Sequence, residues 1–301
     1  MSRDKIIAVV GTNASGKSAL GIHLAQELGG EILSADSRQI FEGFDLCCGK
    51  VTAGERALVP HHILDVRRVG EPFSVSDYQA LCYELIPQIL GRGHVPMIVG
   101  GTGLYVSAVV KGYDLQGGDA ADEALRAELE EKSLEELREL LSEAERERLR
   151  QNPSDWQNKR RLVRAVERER QGAEPRQNDP RYDCLQLGLT WPPEVLAKRI
   201  DIRLDERMKQ GMADEVRDYL ANGGARAVMD SLGLEYRFLA KYVSGGFKDE
   251  SEFRAALAQA IRQFARRQMT WFRRDESIRW LDASGDYRTE ALRLCREFLA
   301  E

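Results

Sequence analysis

Two periods alternate along this chain. Ile6–Val10 is an unbroken apolar run ending at Gly11, the pattern of a strand buried on both faces. From Lys17 to Leu28 the period changes: Leu20, Leu24 and Leu28 recur at helical spacing, and Gly29-Gly30 stops the element. Glu31–Asp36 predicts a second strand, Ser76–Leu90 a helix, Val95–Gly101 a third strand and Tyr182–Trp191 another. Strands alternating with helices predict an α/β fold, a doubly wound parallel sheet with ligands at the carboxyl ends of its strands. Between Gly117 and Gly172 the composition shifts to Glu, Arg and Leu, so residues 117–172 read as a helical insertion in a core made of 1–116 and 173–301. After Trp191 the pattern is helical almost to the end.

Composition narrows the class. The chain has 301 residues, 43% apolar and 31% charged, enough for a proper core. A net charge of −5 gives no global attraction to nucleic acid, so any such binding must use a local basic face. Cys47, Cys48, Cys82, Cys184 and Cys295 contain no C-x-x-C pair, which argues against a zinc site or disulfide framework and fits a reducing cytoplasm. No apolar run approaches a membrane span and no signal peptide is expected.

The chemistry begins at "GTNASGKS". Gly11, Gly16, Lys17 and Ser18 match G-x-x-x-x-G-K-S, with a strand before and a helix after. The glycines admit close backbone approach, the helix N-terminus and Lys17 supply positive charge, and Ser18 offers a hydroxyl to Mg²⁺. The predicted core is therefore P-loop NTPase-like. A kinase or ATPase would also need an acidic residue after an apolar strand; Asp65 and Asp282 are weak candidates. Asp36, closing the second strand in "SADSRQIF", is the more pointed acid, since that strand end belongs beside the phosphate loop. "VGGTGLY" repeats the strand–glycine–hydroxyl–helix design and puts Thr102 at the same sheet edge. Near the C-terminus Arg262, Arg266, Arg267, Arg273 and Arg274 interleave with Phe264, Trp271 and Phe272. That mixture suits an RNA backbone and unstacked bases, or equally a solvated helix face with core anchors.

"GTNASGKS", "DSRQIF", "HHILDV", "FSVSDY", "VGGTGLYV" and "RQFARRQMTWFRR" occur in an order and spacing that resemble the tRNA dimethylallyltransferase family, bacterial type. The resemblance implies that the loop Gly11, Thr12, Asn13, Ala14, Ser15, Gly16, Lys17 and Ser18 holds the diphosphate of dimethylallyl diphosphate, with Thr102 and Arg203, and with Mg²⁺ at Ser18. It implies Asp36 as general base toward an adenosine amine beside the anticodon, with Lys17, Thr102 and Arg203 completing the catalytic set. For the anticodon stem-loop it implies contacts from Asp36, Ser37, Arg38, Gln39 and Thr102. Further contacts would come from Arg126, from Arg160, Arg161, Leu162, Val163 and Arg164, and from Arg266 and Arg267. The family's I-G-Y-K-E segment is replaced by "LGLEYR" at 232–237, and its D-P-x-R by "WQNKRR" at 156–161. A cytoplasmic location follows from the cysteine usage, and a monomer with no obligate protein partner is the default expectation. Two other readings stand beside it: a prenyltransferase acting on free AMP, ADP or ATP, which needs no basic RNA-binding half, and a P-loop small-molecule kinase, which needs an adenine pocket and a clear acidic partner.

Overall fold

Six parallel strands form one sheet in the order β3–β2–β4–β1–β5–β6. They are β1 (Lys5–Gly11), β2 (Gly30–Ser34), β3 (His61–His62), β4 (Val95–Gly100), β5 (Asp183–Thr190) and β6 (Ile278–Asp282). The computed structural model describes residues 3–115, 123–151, 153–170 and 179–301. β1 lies between β4 and β5 and is buried from Ile6 to Gly11, which is why its sequence is continuously apolar. Its side chains divide strictly by parity. Ile6, Ala8 and Val10 join the core with Tyr78, Ile86, Val106 and Ile261. Ile7 and Val9 join the other with Leu20, Leu24, Leu294 and Cys295. Helices thus cover both faces, as a parallel sheet requires.

Strands predicted at 6–10, 31–36, 95–101 and 182–191 are β1, β2, β4 and β5 within a residue or two at each end. The helix expected from Ser76 spans Val75–Gly91, begun by a capping box between Ser74 and Asp77. Two strands escaped the pattern. β3 is only two residues long, and β6 ("IRWLD") buries just Ile278 and Leu281 at the sheet edge, too short a run to break a helical reading.

The chain divides into two compact units, residues 1–111 with 180–301, and residues 112–179. The boundaries expected at 116/117 and 172/173 lie outside the described residues. In the second unit, helices Glu123–Glu131, Leu134–Glu139, Glu143–Arg150 and Lys159–Arg170 pack around Leu129, Leu137, Leu149, Leu162 and Val166.

The carboxyl ends of β2, β4 and β1 are drawn tightly together. A Cβ built on Gly100, the last residue of β4, would fall on the Ala35 carbonyl, and the Thr102 N–H donates to that same carbonyl at 3.0 Å. Because the obstacle is backbone, Gly100→Ala is expected to cost about 1–3 kcal/mol, read as a lower denaturation midpoint; an unchanged midpoint would mean that the strand ends are not held this closely.

Candidate active site

The loop after β1 turns through two left-handed residues, Ala14 at φ 60° and Gly16 at φ 95°. It delivers the chain into helix Lys17–Leu28, whose N-terminus carries no side-chain cap. Its first N–H groups therefore remain available to an anion. Outward-facing groups of the loop are occupied by side chains from distant segments. Trp191 Nε1 donates to the Ser15 carbonyl at 2.8 Å and Arg199 Nε to the Ala14 carbonyl at 2.9 Å, with the Arg199 guanidinium 4.5 Å from the Trp191 ring centre. The Asn13 N–H donates to Gln268 Oε1 at 2.9 Å. The Ser15 hydroxyl is buried with no hydrogen-bond partner, and a Cβ on Gly11 would lie 2.7 Å from it. An orphaned hydroxyl inside an uncapped loop is the feature a bound phosphate oxygen would satisfy.

Lys17 is buried beneath this loop, its Nζ 3.3 Å from the Thr12 carbonyl. Burial pushes its pKa down to about 8; the Asp36 carboxylate opposes that shift and the Arg203 guanidinium adds to it. Lys17, Ser18 and Arg203 line one cleft of ≈ 390 Å³, together with Gly49 and Arg199. Arg203 Nη2 donates to the Gly49 carbonyl at 3.1 Å. Burial, then the neighbouring Arg207, lowers its pKa. Behind it a small cavity of ≈ 30 Å³ is bordered by Asn13, Arg203, Arg207 and Glu235, and burial raises the Glu235 pKa.

Asp36 follows β2 at the same edge. Its Oδ1 accepts the Arg38 N–H at 2.9 Å, which fixes the turn. Thr102 Oγ1 accepts the Ser37 N–H at 3.0 Å, so the second glycine–hydroxyl turn locks the Asp36 segment in place. Gln39 accepts from Ser34 Oγ at 3.0 Å and donates to the Gly49 carbonyl at 3.2 Å, the carbonyl that Arg203 also holds. Segment 44–50 is fastened from several sides. Glu215 accepts the Leu46 and Cys47 N–H groups at 2.8 Å each, and Arg207 donates to the carbonyls of the same two residues. Lys50, its side chain fully buried, bonds Phe41, Gly43, Asp45 and Asp65.

Both weak acidic candidates are structural. Asp65 sits at φ 56° paired with Lys50 and Arg56. Exposed Asp282 accepts from the Ser284 backbone and hydroxyl, a simple turn. Among the described residues, no group of three or more His, Cys, Asp or Glu is placed to hold a metal. The Ser18 hydroxyl at the start of the helix is instead a single oxygen donor, suited to a Mg²⁺ held mostly by ligand phosphates.

The profile of the IPP transferase family matches residues 39–275. The chain belongs to this family. It is 41% identical to tRNA dimethylallyltransferase 2 of Shewanella sediminis, over 97% of each chain. It is 38% identical to the tRNA dimethylallyltransferase of Lactococcus lactis, over 94% of each. Among solved structures it resembles the tRNA isopentenylpyrophosphate transferase of Bacillus halodurans, with TM-score 0.73 and 33% identity, covering 99% of this chain and 96% of that one.

In this IPP transferase the residues expected on the acceptor side part company. Arg160, Arg161 and Arg164 are exposed on helix Lys159–Arg170, with Arg161 paired to Asp155 and Arg164 to Glu167. Leu162 and Val163 are buried in that unit's core, where their side chains hold the helix that carries the three arginines. Arg126, expected at the stem-loop, has its guanidinium on buried Glu167 in a two-pronged pair, at 2.8 and 3.3 Å, which fastens two helices. On helix Glu250–Phe272, Phe272 is core while Trp271 is 36% exposed. Arg254 and Arg262 are paired with Asp205 and Asp201. Arg266, Arg267, Arg273 and Arg274 are exposed and have no acidic partner among the described residues. Arg266 and Arg273 flank a cleft of ≈ 320 Å³ walled by Trp191, Leu196 and Met269.

The reading by motif did not reach Trp191, Arg199, Arg207, Glu235 or Gln268. Gln268 alone left a trace, a polar residue on an apolar helical stripe.

The depressed pKa of Lys17 sets a pH signature. Unfolded, this lysine binds its proton more tightly, so it contributes stability that rises with pH between about 8 and the ordinary value of 10.5. A bound anion restores the charge, so pyrophosphate affinity is expected to be highest below about pH 8 and to fall above it. Calorimetric titration across that range should show the fall in the wild type and lose it in Lys17→Arg; parallel profiles would detach Lys17 from the anion.

Proposed function

We propose that the protein transfers a dimethylallyl group from dimethylallyl diphosphate to the exocyclic amine of an adenosine beside the anticodon of tRNA, releasing diphosphate. The observation that carries this reading is the placement of Asp36. A carboxylate stands at the strand end next to an uncapped phosphate loop and acts electrostatically on both Lys17 and Arg203. A kinase would need an acid to hold its metal. Asp65 and Asp282 are held in an ion-pair cluster and a turn away from the loop, and Asp36 is the carboxylate at the strand end beside it, which we read as the group that receives the proton.

The N–H groups of the loop, the Ser15 hydroxyl and the cations Lys17 and Arg203 bind the diphosphate and favour the negative charge that grows on it as the carbon–oxygen bond breaks. Bound at Ser18, Mg²⁺ would add charge neutralisation of the leaving diphosphate. The adenine amine attacks the prenyl carbon that bears the diphosphate oxygen, the carbon–oxygen electron pair leaves with the diphosphate, and the proton the amine sheds passes to the Asp36 carboxylate. Ser37 and Thr102 keep that carboxylate in register with the cradle. The acceptor must leave its stack to reach the site, and Ser37 and Arg38 lie beside Asp36 to read it, while Gln39, its amide held by Ser34 and Gly49, shapes the wall next to them. The unpaired arginines at the end of helix Glu250–Phe272 favour a polyanionic acceptor over a free nucleotide, and tRNA is the acceptor in the names of the relatives. Arg160, exposed on helix Lys159–Arg170, is a further cation for an RNA acceptor, and Arg161 and Arg164 would have to release Asp155 and Glu167 to join it. The reading carries with it a cytoplasmic location and a monomer.

Labelled dimethylallyl diphosphate offered with an unmodified anticodon stem-loop or with AMP should label the RNA alone. Label in AMP would move the protein to free-nucleotide chemistry. Asp36→Asn should lower transfer by about 10²–10⁴-fold with pyrophosphate affinity retained, and loss of that affinity would refute the base. Arg266→Ala with Arg267→Ala should weaken stem-loop binding and flatten its dependence on salt; an unchanged slope would make these arginines bystanders.

A further inference from the structure

One buried polar group lies outside the chemistry above. Helix Glu250–Phe272 turns Ile261, Ala265, Gln268 and Phe272 inward, and Gln268 is the polar member of that stripe, 7% exposed. A buried primary amide is costly unless both its ends are paired. Here both are, and to two different phosphate-site turns. Oε1 accepts the Asn13 N–H at 2.9 Å, and Nε2 donates to the Gly101 carbonyl at 3.0 Å. The turns themselves are in contact: a Cβ on Gly101 would lie 2.7 Å from Gln268 Nε2, 3.3 Å from the Gly11 carbonyl and 3.4 Å from Lys17 Cε.

We infer that Gln268 is a positioning residue of the diphosphate cradle, fixing from the arginine-bearing helix both the Asn13 peptide and the Gly101–Thr102 turn. This rests on the reading that the loop holds a diphosphate. Asn13 immediately precedes left-handed Ala14, so the plane of its peptide sets the direction in which the following N–H groups point. Gly101 precedes Thr102, which holds Ser37 and through it the Asp36 turn. One amide therefore sets the donor cradle and the general base relative to each other. Arg266 and Arg267 lie on the same helix two residues and one residue earlier, so the acceptor-side cations and this amide share one rigid element.

Gln268→Met keeps the length of the side chain and removes both hydrogen bonds. It is expected to weaken pyrophosphate binding by about tenfold and to raise KM for the prenyl donor by a similar factor, with stem-loop affinity within twofold of wild type. A residue that merely filled the core would lower the melting temperature and leave pyrophosphate affinity unchanged, and that result overturns the inference. Gln268→Glu supplies the second measurement. Ionised, it cannot donate to Gly101; protonated, a carboxylic acid both donates and accepts as the amide does. Burial and the nearby negative pyrophosphate raise its pKa, while Lys17, the charged side chain approaching from the cradle, lowers it. Its pyrophosphate affinity relative to wild type should therefore climb toward one as pH falls, and a ratio independent of pH also overturns the inference. Pyrophosphate binding does not depend on the acceptor. A wild type that binds no pyrophosphate would instead discard the diphosphate reading and this inference with it, a result distinct from a variant that binds as well as wild type.

Discussion

A backbone loop can grip an anion only if its N–H groups are left without other partners and its conformation is fixed before the anion arrives. The loop from Gly11 to Lys17 meets that constraint by having its outward-facing groups held from elsewhere: Trp191 and Arg199 take carbonyls of Ser15 and Ala14, and Gln268 takes the Asn13 N–H. Those anchors come from the end of β5, from helix Pro193–Lys209 and from helix Glu250–Phe272. The C-terminal half of the chain therefore holds the shape of this loop although the recognisable motif lies wholly in the first twenty residues.

The same logic governs the acid. Asp36 stands where it does because β2 and β4 approach so closely at Ala35 and Gly100 that no side chain fits between them. Thr102 then bonds across that seam to Ser37. Segment 44–50 is clamped by Glu215, Arg207 and Lys50, and it presents the Gly49 carbonyl that orients both Gln39 and Arg203. Positive charge converges on the cleft from Lys17 and Arg203, and burial sharpens it, since neither cation is fully solvated. The cost appears in the lowered pKa of Lys17, whose charge is held less firmly in the buried cleft than it would be in water.

Much of this was legible without coordinates because each recognisable signal has a local cause. An apolar run reads as a strand when both of its faces are covered. Gly11 and Gly16 are needed wherever backbone must approach an oxyanion or turn left-handed, and Asp36 and Thr102 follow strands whose ends must coincide in a parallel sheet. β6 was not legible, since two buried residues at a sheet edge leave no period to read. Nor was the fate of the arginines. Arg126, Arg254 and Arg262 look as basic in the sequence as Arg266 and Arg267, yet the first three are paired with acids far away in the chain.

The sequence by itself determined the α/β class and four of its strands, the G-x-x-x-x-G-K-S loop with its lysine and serine, the acid at the second strand end and the family. Those features depend on short-range pattern and on residue types that few other structures require. Only the tertiary structure decided which charges are spent on one another, which remain for a ligand, and which distant side chains hold the loop open. Pairing is a matter of distance in space, and neighbours such as Arg126 with Glu167 or Asn13 with Gln268 are set by how helices pack, which no local pattern records.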